Sequence, residues 1–88
     1  MDRQQITSRL VDILVSTEFS SLQVEGAQLT EDTSLLNDIA LDSIQLLEFI
    51  VAIERTFGFK INTKRLNIDI FDRFGRVVDF VAGNVGAA

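Results

Sequence analysis

The sequence predicts an all-α domain, a four-helix bundle with a long first loop and a short third helix. Two observations carry this class. The 88 residues contain no proline, and their β-branched residues recur at helical rather than alternating spacing. The hydrophobic share of 47% against 24% charge adds that the chain has enough apolar material for one modest core and too little length for a second.

The elements follow in order. A first helix is predicted from about Asp2 to Thr17, because Asp2 and Gln5 have capping-box spacing and Ile6, Leu10, Ile13 and Leu14 form one stripe. The connection from Glu18 to Leu41 is long, and Leu22, Val24, Leu29, Leu35, Leu36 and Ile39 should pin it to the bundle, with a short turn after Asp32. A second helix is expected from Ser43 to Phe57, stopped by Gly58. A short helical turn is placed near Thr63 to Asn67. Asp72 is then expected to cap a last helix carrying Val77, Val78, Phe80 and Val81, ended by "GNVGAA". Residues 1–84 form the expected single domain and 85–88 a short flexible tail.

Composition removes several functions. There is no cysteine and no histidine, which excludes thiol nucleophiles, disulfides, Ser/His pairs and the commonest metal ligands. Enzyme chemistry is therefore not expected. A net charge of −5 repels phosphate backbones, so nucleic acid is excluded as a partner and basic protein surfaces are favoured. The opening "MDRQQITSRL" lacks a basic stretch followed by an apolar one, and no run approaches 18 apolar residues, so a cytoplasmic monomer without membrane insertion is the expectation. A calcium loop starting at Asp32 fails on chemistry. Leu36 and Asn37 stand where an oxygen ligand and a glycine are needed, and Ser43 stands where the final glutamate belongs.

The second helix carries more apolar surface than one core requires. On a helical wheel Leu46, Phe49, Ile50, Ile53 and Phe57 share an arc that serves the core, while Ile44, Leu47 and Val51 fall on a separate arc beside Glu48, Glu54 and Arg55. Scattered surface hydrophobes are common. An acid-rimmed stripe on a chain without catalytic side chains also suits transient docking, with Ile44, Leu47, Glu48, Val51 and Glu54 as the contact residues.

Ser43 stands at the head of this stripe. Asp42 and Gln45 again have capping-box spacing, so local evidence alone is satisfied by Asp42 as a helix cap and Ser43 as a first-turn residue. The wider stretch resembles the acyl carrier proteins and the related peptidyl and aminoacyl carriers. Leu36, Asp38, Ile39, Leu41, Asp42, Ser43 and Ile44 resemble the approach to their modified serine, and Glu48, Ile50, Ile53, Glu54, Phe57, Gly58 and Ile61 the helix and exit that follow. The resemblance implies a 4'-phosphopantetheine arm, donated from coenzyme A by a phosphopantetheinyl transferase and attached to Ser43 with Asp42 beside it. It also implies acyl cargo held as a thioester, acyl-loading, acyl-transfer or condensing enzymes as partners, and an apolar slot lined by Phe49, Ile50, Ile53, Phe57, Ile61, Leu66, Ile68 and Phe71.

The chain departs from the family pattern at several positions. Ala40 stands where glycine is usual, Gln45 and Arg55 where carriers of fatty-acid synthesis show acids, and Lys60, Lys64 and Arg65 make the following region basic. These departures point to a carrier in a specialised fatty-acid or polyketide-type pathway. The alternatives are an aminoacyl or peptidyl carrier and an unmodified helical adaptor.

Overall fold

The computed structural model describes residues 2–15 and 29–85. Among them lie three α-helices and one 3-10 helix, and no strand: α1 (Arg3–Leu14), α2 (Ser43–Phe57), the 3-10 helix (Ile68–Asp72) and α3 (Phe74–Val85). The all-helical class and the element order agree with the sequence, the fourth helix being the 3-10 segment.

Helix α1 starts as its capping box dictates. The Gln5 amide donates to the Asp2 carboxylate at 2.8 Å and the Asp2 amide donates to the Gln5 side chain at 3.0 Å. Ile6, Leu10 and Leu14 are fully buried, with Ile13 on the flank of that stripe. The helix ends at Leu14, with Val15 as its C-cap. The expected extension to Thr17 lies outside the described residues, as do Leu22 and Val24.

The part of the connection that is described is anchored to the end of the chain. Its backbone pairs with the segment that opens α3, through Leu35 N–H to the Phe71 carbonyl (2.9 Å), Phe74 N–H to the Thr33 carbonyl (2.8 Å) and Gly75 N–H to the Glu31 carbonyl (2.9 Å). Leu35 is fully buried, and Leu29, Leu36 and Ile39 pack partly buried against the core. Turns occur at 31–32 and 35–38.

These backbone bonds explain one correction. Asp72 does not cap α3: it closes the 3-10 helix, and its carboxylate accepts from Ser34 Oγ (3.0 Å) and Asn37 Nδ2 (3.2 Å). The first amides of α3, Phe74 and Gly75, already have carbonyl partners in the connection, so no side chain is needed to satisfy them. A second correction concerns the third helix. Thr63–Arg65 is only a turn, and the helical segment begins at Ile68, where the Asn67 side chain accepts the Asp69 amide at 3.0 Å and Phe71 carries the burial. Helix α3 also runs further than expected, through Gly83 and Asn84 to Val85. The Asn84 side chain donates back to the Phe80 carbonyl at 2.8 Å.

All elements contribute to one core. Phe49 of α2 meets Phe71 edge to face, with centroids 6.2 Å apart, while Val77, Val78 and Val81 of α3 are fully buried beside Ile6, Leu10 and Leu14 of α1. Burial of each large apolar side chain is worth about 1.5 to 3 kcal/mol, which is what holds short helices together that would not survive alone. On the surface Arg3 joins α1 to the Glu31 and Asp79 carboxylates and lies against the Gly75 carbonyl. Hydrogen bonding to Glu31 first, opposed by slight desolvation and supported by Asp79, raises the Arg3 pKa.

Candidate functional site at the head of α2

The residues leading to Ser43 are tightly placed. Leu41 is buried, and its amide donates to the Leu35 carbonyl at 3.0 Å; the Ile39 amide donates to the Ser34 carbonyl at 3.1 Å. Between them Ala40 has φ of 61°, in the left-handed region, which reverses the chain direction just before the helix. Asp42 then takes an extended conformation and caps α2. Its carboxylate accepts the Gln45 amide at 2.8 Å, its own amide donates to the Gln45 side chain at 3.0 Å, and its carbonyl accepts the Leu46 amide.

Ser43 is the first residue of α2 and is exposed. The amides of Ser43 and Ile44 lie in the first turn, where a helix has no acceptor of its own, and the positive end of the helix dipole points the same way. An anionic group attached at this hydroxyl meets donors and favourable charge. The capping box and an attachment site are thus compatible, since Asp42 holds the helix end while the serine side chain stays outside the cap.

The two faces of α2 separate as the wheel requires. Leu46, Phe49, Ile50 and Ile53 are buried, whereas Ile44 is 69% exposed, Leu47 56% and Val51 42%. Glu48 is exposed beside them. Glu54 is half-buried, and its carboxylate accepts the Ile61 amide at 2.8 Å, which ties the chain after α2 back onto the helix. Gly58, with φ of 74°, ends α2 in the left-handed region that favours glycine.

The expected slot residues are mostly core. Phe49, Ile50, Ile53 and Phe71 are buried, and Phe57, Ile61 and Leu66 pack partly buried against them. Ile68 is not among them: it is 53% exposed at the first position of the 3-10 helix. The later start of that helix leaves Phe71 to reach the core in its place.

One feature escaped the sequence. The exposed apolar stripe of α2 is one wall of a groove whose other wall comes from α1, through Arg9, Asp12 and Ile13. The i, i+4 spacing of Arg9 and Ile13 places them on one helical face, but nothing in the sequence pairs that face with α2.

Comparison with known proteins agrees with this geometry. The family described as "Phosphopantetheine attachment site" matches residues 16–81, a stretch that includes Ser43. The mitochondrial acyl carrier protein of Saccharomyces cerevisiae is 30% identical over 87 residues, covering 99% of this chain and 68% of the relative. An acyl carrier protein of Coprothermobacter proteolyticus is 33% identical over 66 residues, covering 75% of this chain and 76% of the relative. The fold is shared with an acyl carrier protein structure from Enterococcus faecalis at a TM-score of 0.70 and 23% identity, over 96% of this chain and 99% of that one. A head-of-helix serine, an all-α bundle and these matches together place the chain in the acyl carrier protein family, whose phosphopantetheine-binding domain carries covalently attached 4'-phosphopantetheine.

Proposed function

We propose that Ser43 is the residue to which the 4'-phosphopantetheine arm is attached, and that the chain shuttles acyl intermediates between enzymes without catalysing a reaction itself. The observation that carries this is the exposure of Ser43 at the first position of a capped helix. Of the two described serines within the matched stretch, Ser34 is buried and donates to Asp72, whereas Ser43 is exposed. When bound, the arm supplies the thiol that this cysteine-free chain lacks and holds the acyl group as a thioester.

The protein's own residues position and present. Asp42 caps α2 and keeps Ser43 at its tip; the free amides of Ser43 and Ile44 stabilise negative charge there. Ile44, Leu47, Glu48 and Val51 form the docking face for a phosphopantetheinyl transferase and for acyl-loading, acyl-transfer or condensing enzymes. The apolar interior around Phe49, Ile53, Ile61 and Phe71 covers an alkyl chain when the helices part. Gln45, Arg55, Lys60, Lys64 and Arg65 interrupt the acidic surface and favour a specialised fatty-acid or polyketide-type pathway over a generalist one. A cytoplasmic, monomeric protein is proposed on composition alone. Among the described residues no helix is long and apolar enough to cross a membrane.

The test is intact-protein mass spectrometry after incubation with a phosphopantetheinyl transferase and coenzyme A. The chain should gain one arm, and Ser43→Ala should keep its helical circular dichroism and gain none. Modification of the alanine variant, or of another serine, overturns the assignment. The mass of any thioester on protein from the native host separates acyl from aminoacyl cargo.

A further inference from the structure

The groove between α1 and α2 has a volume of about 1030 Å³. Its apolar lining comes from Ile13 of α1 and Ile44, Leu47, Val51 and Ala52 of α2. From Ile44 to Arg55 the α2 wall runs about 17 Å at the helical rise of about 1.5 Å per residue, or three turns. That is the length over which a partner helix presents anchors at i, i+3 or i+4, and i+7.

The charges around the groove have both signs. Asp12 and Glu48 bring carboxylates, and Arg9 and Arg55 bring guanidinium groups. The ion pairs among the described residues lie elsewhere, at Arg3 and Arg73. Along α2 the order is polar: Asp42 and Glu48 are near Ser43, Arg55 lies about two turns beyond Glu48, and the exposed Lys60, Lys64 and Arg65 follow in the chain. A uniformly basic partner surface would meet attraction at the Ser43 end and repulsion at the other.

We propose that the α1–α2 groove docks an amphipathic helix of a partner protein, its apolar ridge in the groove, its basic end toward Ser43 and its acidic end toward Arg55. The proposal deepens the reading of the α2 stripe as the docking face and adds the α1 wall and a polarity to it. A helix lying in this groove points its basic end at the residue that displays the cargo, so orientation is set by charge before the arm is engaged.

The experiment is run on isotope-labelled Ser43→Ala chain, which is never loaded, so its outcome is independent of where the arm attaches. Three synthetic helical peptides share one apolar ridge and differ in rim charge: lysines at one end with glutamates at the other, lysines throughout, or glutamates throughout. The mixed peptide should bind about two- to five-fold more tightly than either uniform one, the range an exposed charge pair supports. Backbone amide shifts should include Arg9, Asp12 and Ile13 as well as the α2 face. Arg55→Glu should reverse the preference toward the all-lysine peptide.

Several results overturn the proposal: shifts confined to α2, equal binding of mixed and uniform peptides, or no binding by any of the three. Nuclear Overhauser contacts from Leu47 or Val51 to residues 16–28 in the free protein would show the chain itself in the groove. Concentration-dependent shifts of the same amides would assign it to a second copy. Either finding also overturns the proposal.

Discussion

Replacing Ala40 by glycine should stabilise the protein. Ala40 is exposed and holds φ of 61°, the left-handed region in which a Cβ crowds the following carbonyl. For a residue other than glycine this conformation costs about 1 to 2 kcal/mol. Glycine removes that cost but gives the unfolded chain more freedom, a loss of about 0.4 to 1 kcal/mol. Because the side chain is exposed, little packing is lost with it. The balance is a gain of about 0.5 to 1 kcal/mol, which for a domain of this size raises the melting temperature by about 2 to 8 °C. Thermal and urea unfolding followed by far-ultraviolet circular dichroism measure it. Ala40→Val supplies the control, since a β-branched side chain tolerates this region worse and should lower stability below that of the alanine protein. Loading of Ser43 should be unimpaired in Ala40→Gly. A lower melting temperature for the glycine variant, or a valine variant as stable as alanine, would refute the account of strain at this turn.

Three further outcomes follow from the same structure. Ile53 is 1% exposed and Leu47 56%, so Ile53→Asp should cost several kcal/mol, against about 4 to 13 for the whole domain, and unfold most of the protein. Leu47→Asp should change its urea midpoint little and slow loading; equal destabilisation by both would mean the stripe is core. Glu54→Ala should lower stability by about 1 kcal/mol by leaving the Ile61 amide without its acceptor, and Glu54→Gln should lose less; identical urea midpoints for all three proteins would show that the tie contributes nothing. Arg55→Glu, Lys60→Glu and Lys64→Glu combined should improve turnover of the holo protein by a housekeeping fatty-acid ketosynthase. No improvement, or good activity before the changes, would count against a specialised pathway.

How much of this could be read from sequence depended on the range of the interactions. Both capping boxes, the bounds of α2, and the division of that helix into Leu46, Phe49, Ile50 and Ile53 against Ile44, Leu47 and Val51 are local patterns, decided within a few turns of chain. Most of the errors came from contacts between distant segments. Asp72 has the composition of a cap, but the carbonyls that satisfy Phe74 and Gly75 come from Thr33 and Glu31, which only the folded chain brings close. The α1 wall of the groove was invisible for the same reason. Ile68 was misplaced because the asparagine that starts the 3-10 helix was read as its end.

The pairing of Leu35 with Phe71, reinforced by those of Thr33 and Glu31 with α3, closes the intervening chain into a ring that contains α2, Ser43 and the basic turn. A cysteine-free protein has here a fastening made of backbone hydrogen bonds, which redox conditions leave untouched. Because the ring closes on the single core to which α2 contributes Phe49, Ile50 and Ile53, opening the fastening and loosening that core are one event, and the position of Ser43 at the head of α2 is fixed by both.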